Sequence, residues 1–415
     1  MKNEIKQQLI SGDSRNGDWK RCLFSDKFER ITRKNKDGNR NVLTISAQQG
    51  LINQFEYYNH QYASEDTSSY TLLKRGDFAY NKSYSDGYPW GALKRLERYD
   101  SGIVSPLYIC FAPKNGVCSD FYKQYFEAGL FNREIYKIAQ EGARNHGLLN
   151  VSTEDFFNAM LADPPIEEQR KIAEILGCCD EVIRLKKELI AEKKKQKKAL
   201  MQKLLDPNSG FRLPGFSGNW TAIQLYECGQ WYGGGTPSKK NSSFWKNGSI
   251  KWISSQEVKN KLITDTTFKI TPLAILASTT NLVPQNSLIF VTRSGILRNS
   301  FPISRIQETM AINQDIKALH PKKDIDSFFL QCLLEAQEDY ILKNYIKAGT
   351  TVESLMLNSF QQMMLQIPAI PEQLALADIF RCSNTEIDLL EQELSEQEKK
   401  KKSLMQLFLT GIVRV

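Results

Sequence analysis

Two sets of side chains in this 415-residue sequence could do chemistry, and they point in different directions. The first set would be catalytic or metal-binding. His60, His146 and His320 are the only histidines, and none lies near a cysteine or a second histidine at ligand spacing, so no metal site is expected. Gly233-Gly234-Gly235 lacks the Lys-Ser/Thr that completes a P-loop. Asp163-Pro164-Pro165-Ile166 approaches the Asn/Asp-Pro-Pro-aromatic tetrad with which adenine-N6 methyltransferases hold a flipped base. Its fourth residue is isoleucine, however, and no separate glycine-rich cofactor turn follows a strand. Prolines opening a helix explain the same residues. No paired carboxylates with a nearby lysine suggest a nuclease. The chain is expected to be non-catalytic and to hold no cofactor itself.

The second set could read nucleic acid. Arginine pairs with guanine and Asn or Gln with adenine, while hydroxyl, basic and backbone groups meet phosphate. Such residues gather in loops. In the first half they are Asn81, Lys82, Ser83 and Tyr84, then Arg144, Asn145 and His146. In the second half they are Gly234, Thr236, Ser238 and Lys239, Trp252 and Ser254, and Arg293 and Ser294. Asn313, Gln314 and Asp315, with Lys347, Gly349 and Thr350, complete the set. A net charge of +8 and a pI near 8.9 suit a polyanionic partner. Double-stranded DNA is the expected one.

These loops need a frame, and the chain writes its frame twice. The stretch from Pro164 to Leu205 recurs from Pro368, a constant 204 residues later, with about 17 of roughly 42 positions identical. Each copy reads as one helix of about 40 residues, roughly 60 Å long. Prolines open it, Glu167, Glu168 and Glu372 complement the positive end of its dipole, and lysines lie toward the other end. Apolar residues alternate at four and three, which is a heptad seam. In the first copy the seam runs Ile172, Leu176, Cys179, Ile183, Lys186 and Ile190, turns polar at Lys193 and Lys197, and returns at Leu200 and Leu204. In the second it runs Leu376, Phe380, Ser383, Ile387, Leu390 and Leu394, then Gln397 and Lys401, and returns at Leu404 and Phe408. Two seams in one chain offer each other a partner, and a pairing that relates the copies by a pseudo-two-fold is antiparallel.

The expected organisation is therefore α+β: a mixed α/β domain over 1–163, a long helix over 164–205, a linker and second α/β domain over 206–367, and a second long helix with a tail over 368–415. Residues 1–14 read as a polar lead-in. Strands are expected at Asn41–Ser46, Tyr70–Leu73, Asp77–Tyr80 and Ile103–Phe111, and later at Ile250–Ile253, Phe268–Ile270, Ser287–Thr292 and Ile316–Leu319. Helices are expected near Asp120–Gly129 and at Ser327–Leu342, with a loop at Glu141–Gly147. The two α/β segments share little sequence beyond Trp19 and Trp220 at their entrances. The N-terminus lacks the apolar core of a signal peptide, the most apolar run is interrupted by Asn281 and Pro284, and eight cysteines show no C-x-x-C spacing. A reducing, cytoplasmic setting without a membrane fits.

The doubled helix with its Pro-x-x-Glu-Gln start, in Ile166–Ile172 and in Ile370-Pro371-Glu372-Gln373, resembles the specificity subunit (HsdS) of type I restriction–modification systems. The Leu200-Met201-Gln202 and Leu404-Met405-Gln406 helix ends and the Phe211–Trp220 approach resemble it too. So do the loops Gly233–Ser238 and 347–351. The first domain departs from the pattern, because Ser11–Trp19 lacks the R-x-P-G-F approach. The resemblance implies two target-recognition domains that bind a bipartite DNA site, with the paired helices as a spacer. It also implies docking of two modification subunits, which use S-adenosylmethionine, and two restriction subunits, which use ATP and Mg. The helix face carrying Glu174, Glu181, Glu188 and Lys193–Lys198 is the expected docking surface. The alternatives weighed against this are a stand-alone DNA-modifying enzyme and a coiled-coil scaffold with no nucleic-acid partner.

Overall fold

The computed structural model describes residues 19–46, 48–60, 62–83, 88–139, 149–349 and 352–415. The polar lead-in and the loop expected at Glu141–Gly147 lie outside them. The chain forms two compact units, one of residues 1–187 with 393–415 and one of residues 188–392. Each combines a mixed α/β module with a stretch of both long helices.

The first module comprises β1 (Lys20–Leu23), α1 (Phe24–Lys27), β2 (Phe28–Arg30), β3 (Leu43–Ser46), β4 (Gly50–Asn53) and α2 (Gln54–Tyr58). It continues through β5 (Thr71–Lys74), β6 (Phe78–Asn81), β7 (Ala92–Arg95), β8 (Ser101–Val104) and β9 (Ile109–Pro113). It closes with α3 (Ser119–Glu127), α4 (Asn132–Ile138), α5 (Thr153–Asn158) and β10 (Met160–Asp163). An antiparallel sheet in the order β2-β9-β6-β7 carries Phe28, Phe78 and Phe111 on one face, and α3 lays Phe121, Tyr122, Tyr125 and Phe126 into the same core. The strand expected over Ile103–Phe111 is two strands. A turn in which Tyr108 N donates to Ser105 O separates them, so β8 pairs with β5 while β9 joins β2 and β6.

The first long helix, α6 (Ile166–Leu204), leads into β11 (Thr221–Gln224), β12 (Gly229–Gly233), β13 (Ile250–Ile253), β14 (Leu262–Ile263), β15 (Phe268–Ile270), α7 (Pro272–Leu276) and β16 (Leu282–Val283). Then come β17 (Leu288–Val291), β18 (Ile303–Ile306), β19 (Met310–Ile312) and β20 (Ile316–Pro321). α8 (Ser327–Ala336), α9 (Glu338–Tyr345), β21 (Ile346–Lys347), β22 (Ser354–Leu355), α10 (Leu357–Gln361), β23 (Met364–Ile367) and the second long helix α11 (Ile370–Phe408) complete the chain. One sheet runs β12-β20-β17-β18-β14 and the other β15-β13-β19-β16. The helix expected over Ser327–Leu342 is broken at Gln337, which has φ −101° and ψ 12°, and the Glu338 carboxylate then accepts the Phe301 N–H at 2.8 Å.

The modules share little sequence, yet their central sheets match strand for strand. The order β2-β9-β6-β7 corresponds to β12-β20-β17-β18, antiparallel throughout, and both modules then add two helices. Both end on a short helix and a strand that pairs back to the module's first strand, β10 with β1 and β23 with β11.

The structure gives the repeated Glu-Gln a physical reason. Gln169 Nε2 donates to Pro164 O (2.8 Å) and Gln373 Nε2 to Pro368 O (2.9 Å), each holding the entry to its helix. The neighbouring carboxylates are buried and each takes a forked guanidinium, Glu372 from Arg212 and Glu168 from Arg414. Arg212 belongs to the approach that the first domain lacks. Arg414, near the C-terminus, does its work there, with Trp19 Nε1 as a third donor to Glu168.

Within each unit the two helices run antiparallel. In the first, Asp180 meets Lys401 (2.5 Å), Lys186 meets Glu393 (2.6 Å) and Lys187 meets Glu398 (2.7 Å). In the second, Lys193 meets Glu386 (2.5 Å), Lys194 meets Glu391 (2.6 Å) and Lys197 donates to the Asn384 side chain. Of the seam residues, Ile172, Leu176, Ile190, Leu376, Phe380, Ile387 and Phe408 are buried. Cys179, Ile183, Leu200, Leu204, Leu390, Leu394 and Leu404 are half-buried. The polar interruptions are half-buried as well, and those at Lys186, Lys193, Lys197 and Lys401 are satisfied by cross-helix bonds.

Among the described residues no helix is long and apolar enough to cross a membrane. All eight cysteines are free. Burial pushes the thiols of Cys110, Cys228 and Cys332 up to about 12, whereas Cys178 and Cys382 are exposed. A thiol reagent at neutral pH should therefore label Cys178 and Cys382 in the native protein and the other three only after unfolding. Peptide mass spectrometry reads this directly.

Candidate nucleic-acid interface

In the second unit most of the sequence-selected loops meet. β12 ends at Gly233 and runs into Gly234 and Gly235, and close packing demands the last two: a Cβ on Gly234 would stand 1.9 Å from Ile312 O, and one on Gly235 2.2 Å from Thr279 Oγ1. Gly235 N donates to Ile312 O at 3.0 Å, which ties the loop to the end of β19. Gly235 O in turn accepts from Trp252 Nε1 at 3.1 Å and from the Thr280 hydroxyl. Asn281 Nδ2 holds Gly233 O at 2.9 Å.

The loop so fixed presents Thr236, whose hydroxyl donates to Gln314 Oε1 at 2.6 Å. Gln314 Nε2 reaches Asp315 Oδ2 (3.0 Å), and Asp315 N is received by Asn313 Oδ1 (3.1 Å). From there Asp315 O accepts Thr292 N, Thr292 O accepts Leu355 N, and Glu353 O accepts Ser294 N. Arg293 bridges to Ser354, whose partner across the β21–β22 hairpin is Lys347. Arg298 holds the Glu353 carboxylate at 2.7 Å and keeps its pKa below the usual range. One hydrogen-bonded surface results, from which Thr236, Ser238, Lys239, Arg293, Gln314, Lys347 and Gly349 face solvent. The Gln314 amide still has an N–H to offer after its two bonds, the capacity an adenine edge requires.

Not every selected residue faces outward. Trp252 is 4% exposed and its indole N–H is taken by Gly235, so it positions the loop. Asn313 is buried and braces Asp315. Ser254 is half-buried, its N–H received by Glu257 Oε2 at 3.0 Å, and Ser294 Oγ caps the turn at Ile296. Thr280 and Asn281, which hold the glycine loop, were not among the sequence-selected residues. The only sequence signal for them is a polar Ser-Thr-Thr-Asn run in apolar surroundings.

In the first unit Asn81 ends β6, and Lys82 and Ser83 follow it; this strand corresponds to β17, which leads into the Thr292-Arg293-Ser294 loop. Asn81 Oδ1 receives Ser83 N at 3.0 Å. Lys82 is half-buried and donates to Val151 O at 2.7 Å, and burial lowers its pKa. It ties the loop to the chain just ahead of α5 rather than reaching out as a free charge. Tyr84, Arg144, Asn145, His146 and Thr350 lie outside the described residues. Asp163 of the Asp-Pro-Pro-Ile run is engaged by Lys27 (2.8 Å) and Gln169 Nε2 (3.0 Å), and the prolines precede α6.

Residues 217–399, which contain the whole second-unit surface, match the family model described as a type I restriction modification DNA specificity domain. The specificity subunit of the Escherichia coli type I restriction enzyme EcoR124I/EcoR124II is 34% identical over 210 residues. Over this half the chain is similar to specificity subunits of type I restriction–modification systems. That E. coli alignment covers 50% of each protein, so the chain spans about half the length of this relative. The MjaVIII specificity subunit of Methanocaldococcus jannaschii is 26% identical and covers 76% of this chain and 75% of that protein. The crystal structure of the type I S subunit from M. genitalium has 15% identity and a TM-score of 0.56, and covers 95% of this chain and 96% of that one. At that identity the likeness shows a shared fold, the mixed α/β specificity-subunit architecture.

Proposed function

We propose that the chain is the DNA-reading component of a type I restriction–modification complex and binds a bipartite duplex target, one half-site per α/β module. The observation that carries this is the convergence of Thr236, Arg293, Gln314 and Lys347 on one braced surface of the second unit. Rigid donors of that kind suit base edges and phosphates, and they offer no group for bond-breaking. Recognition belongs to 1–163 and 206–367. The helices of 164–205 and 368–415 set the gap between half-sites. Two modification subunits, carrying S-adenosylmethionine, and two restriction subunits, using ATP and Mg, supply the chemistry. The chain itself is non-catalytic, works in the cytoplasm and holds no cofactor.

The purified chain with its modification subunit should bind a target duplex with an affinity that falls steeply and linearly in log salt. Binding without salt dependence, or methylation by the chain alone, would defeat the reading. The spacer role makes its own prediction. Seven residues inserted after Glu188 and seven after Gln392 keep both seams in register and lengthen each helix by about 10.5 Å. The selected gap should grow by about three base pairs at roughly 3.4 Å each, read by mapping methylated sites. An unchanged gap would rule the spacer out.

A further inference from the structure

Leu276, at 85%, is the most exposed large apolar side chain among the described residues, and Leu273 beside it is 50% exposed. Both belong to the short helix α7, where positions i and i+3 share a face. A single exposed leucine is ordinary on a protein surface. This pair differs in how it is held, in what it adjoins and in the charge around it.

The helix is pinned on its other side and at both ends. Ala274 is wholly buried in the small core of Phe244, Trp252 and Ile270. Pro272 opens the helix after Thr271, whose hydroxyl donates to Ser243 O at 2.9 Å and whose N–H donates to Phe244 O at 2.9 Å. At the far end the Ser278 hydroxyl donates back to Ala274 O at 2.6 Å. The two leucines therefore stand in water on fixed backbone, a hydrophobic cost that only a partner surface would relieve.

The helix also adjoins the loop that presents Thr236, Ser238 and Lys239. Directly after α7, Thr280 and Asn281 hold the carbonyls of Gly235 and Gly233. Before it in the chain, the Ser242–Phe244 turn packs against α7, and the Trp245 indole N–H donates to Ser238 O at 3.1 Å. The apolar face is thus continuous with the hydrogen-bonding surface already described.

The charge is of one sign. From Gly233 to Ser249 the chain carries Lys239, Lys240 and Lys246 and no acid, and from Thr271 to Asn286 it carries no charged residue. The three lysines are exposed and form no ion pair among the described residues. A face of leucines beside unpaired lysines fits a polyanion that also offers an apolar group. Duplex DNA offers one on its major-groove edges, the 5-methyl group of thymine.

We infer that Leu276, with Leu273 beside it, is a specificity-determining contact to thymine methyl groups in the half-site read by the second unit. This rests on the proposed function and deepens it: the loop supplies the polar part of the readout, the lysines meet phosphates, and the leucines supply the apolar part.

The test uses the full chain assembled with its modification subunit and two duplexes. One is the target found by methylation mapping. The other carries uracil for thymine throughout the half-site that is retained when residues 15–163 are exchanged for a relative's. Uracil keeps every hydrogen-bonding group of thymine and lacks only the methyl. The wild-type complex should bind the uracil duplex about fourfold more weakly for each methyl it buries. Leu276→Ala should weaken binding of the thymine duplex by a similar factor, no longer distinguish the two duplexes, and leave the Tm unchanged. A wild-type complex indifferent to uracil, a half-site without an A·T pair, or the same thymine-to-uracil ratio in Leu276→Ala as in the wild type would each overturn the inference and leave the proposed function standing. Weakened subunit assembly with intact discrimination also overturns it, by placing a protein on the leucines. Wild-type binding without salt dependence would instead count against the proposed function itself.

Discussion

Gly234→Ala is expected to remove reading of one half-site while leaving the chain folded. The added methyl would sit 1.9 Å from Ile312 O and 2.5 Å from its carbonyl carbon, and backbone cannot yield as a side chain end can. Either β12 or β19 must shift, a cost of about 1–3 kcal/mol for overpacking. The larger consequence is functional. Gly235 is bonded to Ile312, Trp252 and Thr280, and Thr236 to Gln314, so a displaced Gly234 disturbs every bond that fixes the surface. Base contacts are worth roughly 1–3 kcal/mol each, so affinity for the intact target should fall about tenfold to more than a hundredfold. Gly218→Ala, where nothing lies within 4 Å of the new Cβ, is the control and should change neither quantity. Thermal unfolding and duplex titration together give the answer. A destabilised chain with normal target affinity would show that this loop does not read DNA.

Phe24→Ala should be the most destabilising single change in the first unit, at about 3–5 kcal/mol. The ring is wholly buried, with centroids of Phe28, Phe111 and Phe156 each 4.8 Å away and Phe131 at 5.3 Å. It joins the sheet, through β2 and β9, to α5 and the loop before α4. Its removal leaves a cavity bounded by large rings that lack room to collapse. Denaturant unfolding should show the loss. Selection should become degenerate in one half of the target, because the second unit keeps a separate core. A loss below about 1 kcal/mol would mean that the aromatic cluster repacks freely.

How much of this could be read from the sequence depends on how local the cause is. The long helices were plain, since heptad spacing, caps and a 204-residue repeat each follow from near neighbours in sequence. Even the polar seam positions made sense once Lys186, Lys193 and Lys401 found acids across the pair. The repeated sheet order was hidden, because a β core asks only for apolar residues of suitable size and its sequence can drift while the order persists. The break at Gln337 and the division of 103–111 came from tertiary contacts that periodicity does not record. Composition located the loops of the second unit but not their roles. Trp252 and Lys82 have the chemistry of DNA contacts, and in the structure they brace loops through Gly235 and Val151. Arg212 and Arg414 show the same limit from the other side, since their shared task appears only when each meets its buried glutamate.

The division of labour that follows is simple. On the proposed reading, buried polar bonds hold a few exposed donors still, and the donors select the sequence.

The measurement that bears most directly on the central claim is methylation mapping of DNA from cells expressing the modification subunit with the wild-type chain, with a chain whose residues 15–163 come from a relative, or with neither. The wild-type chain should give one bipartite motif with a fixed gap, and the exchanged chain should change one half of it and keep the other half and the gap. Methylation that is the same in all three, with the complexes shown to be assembled, would contradict the account.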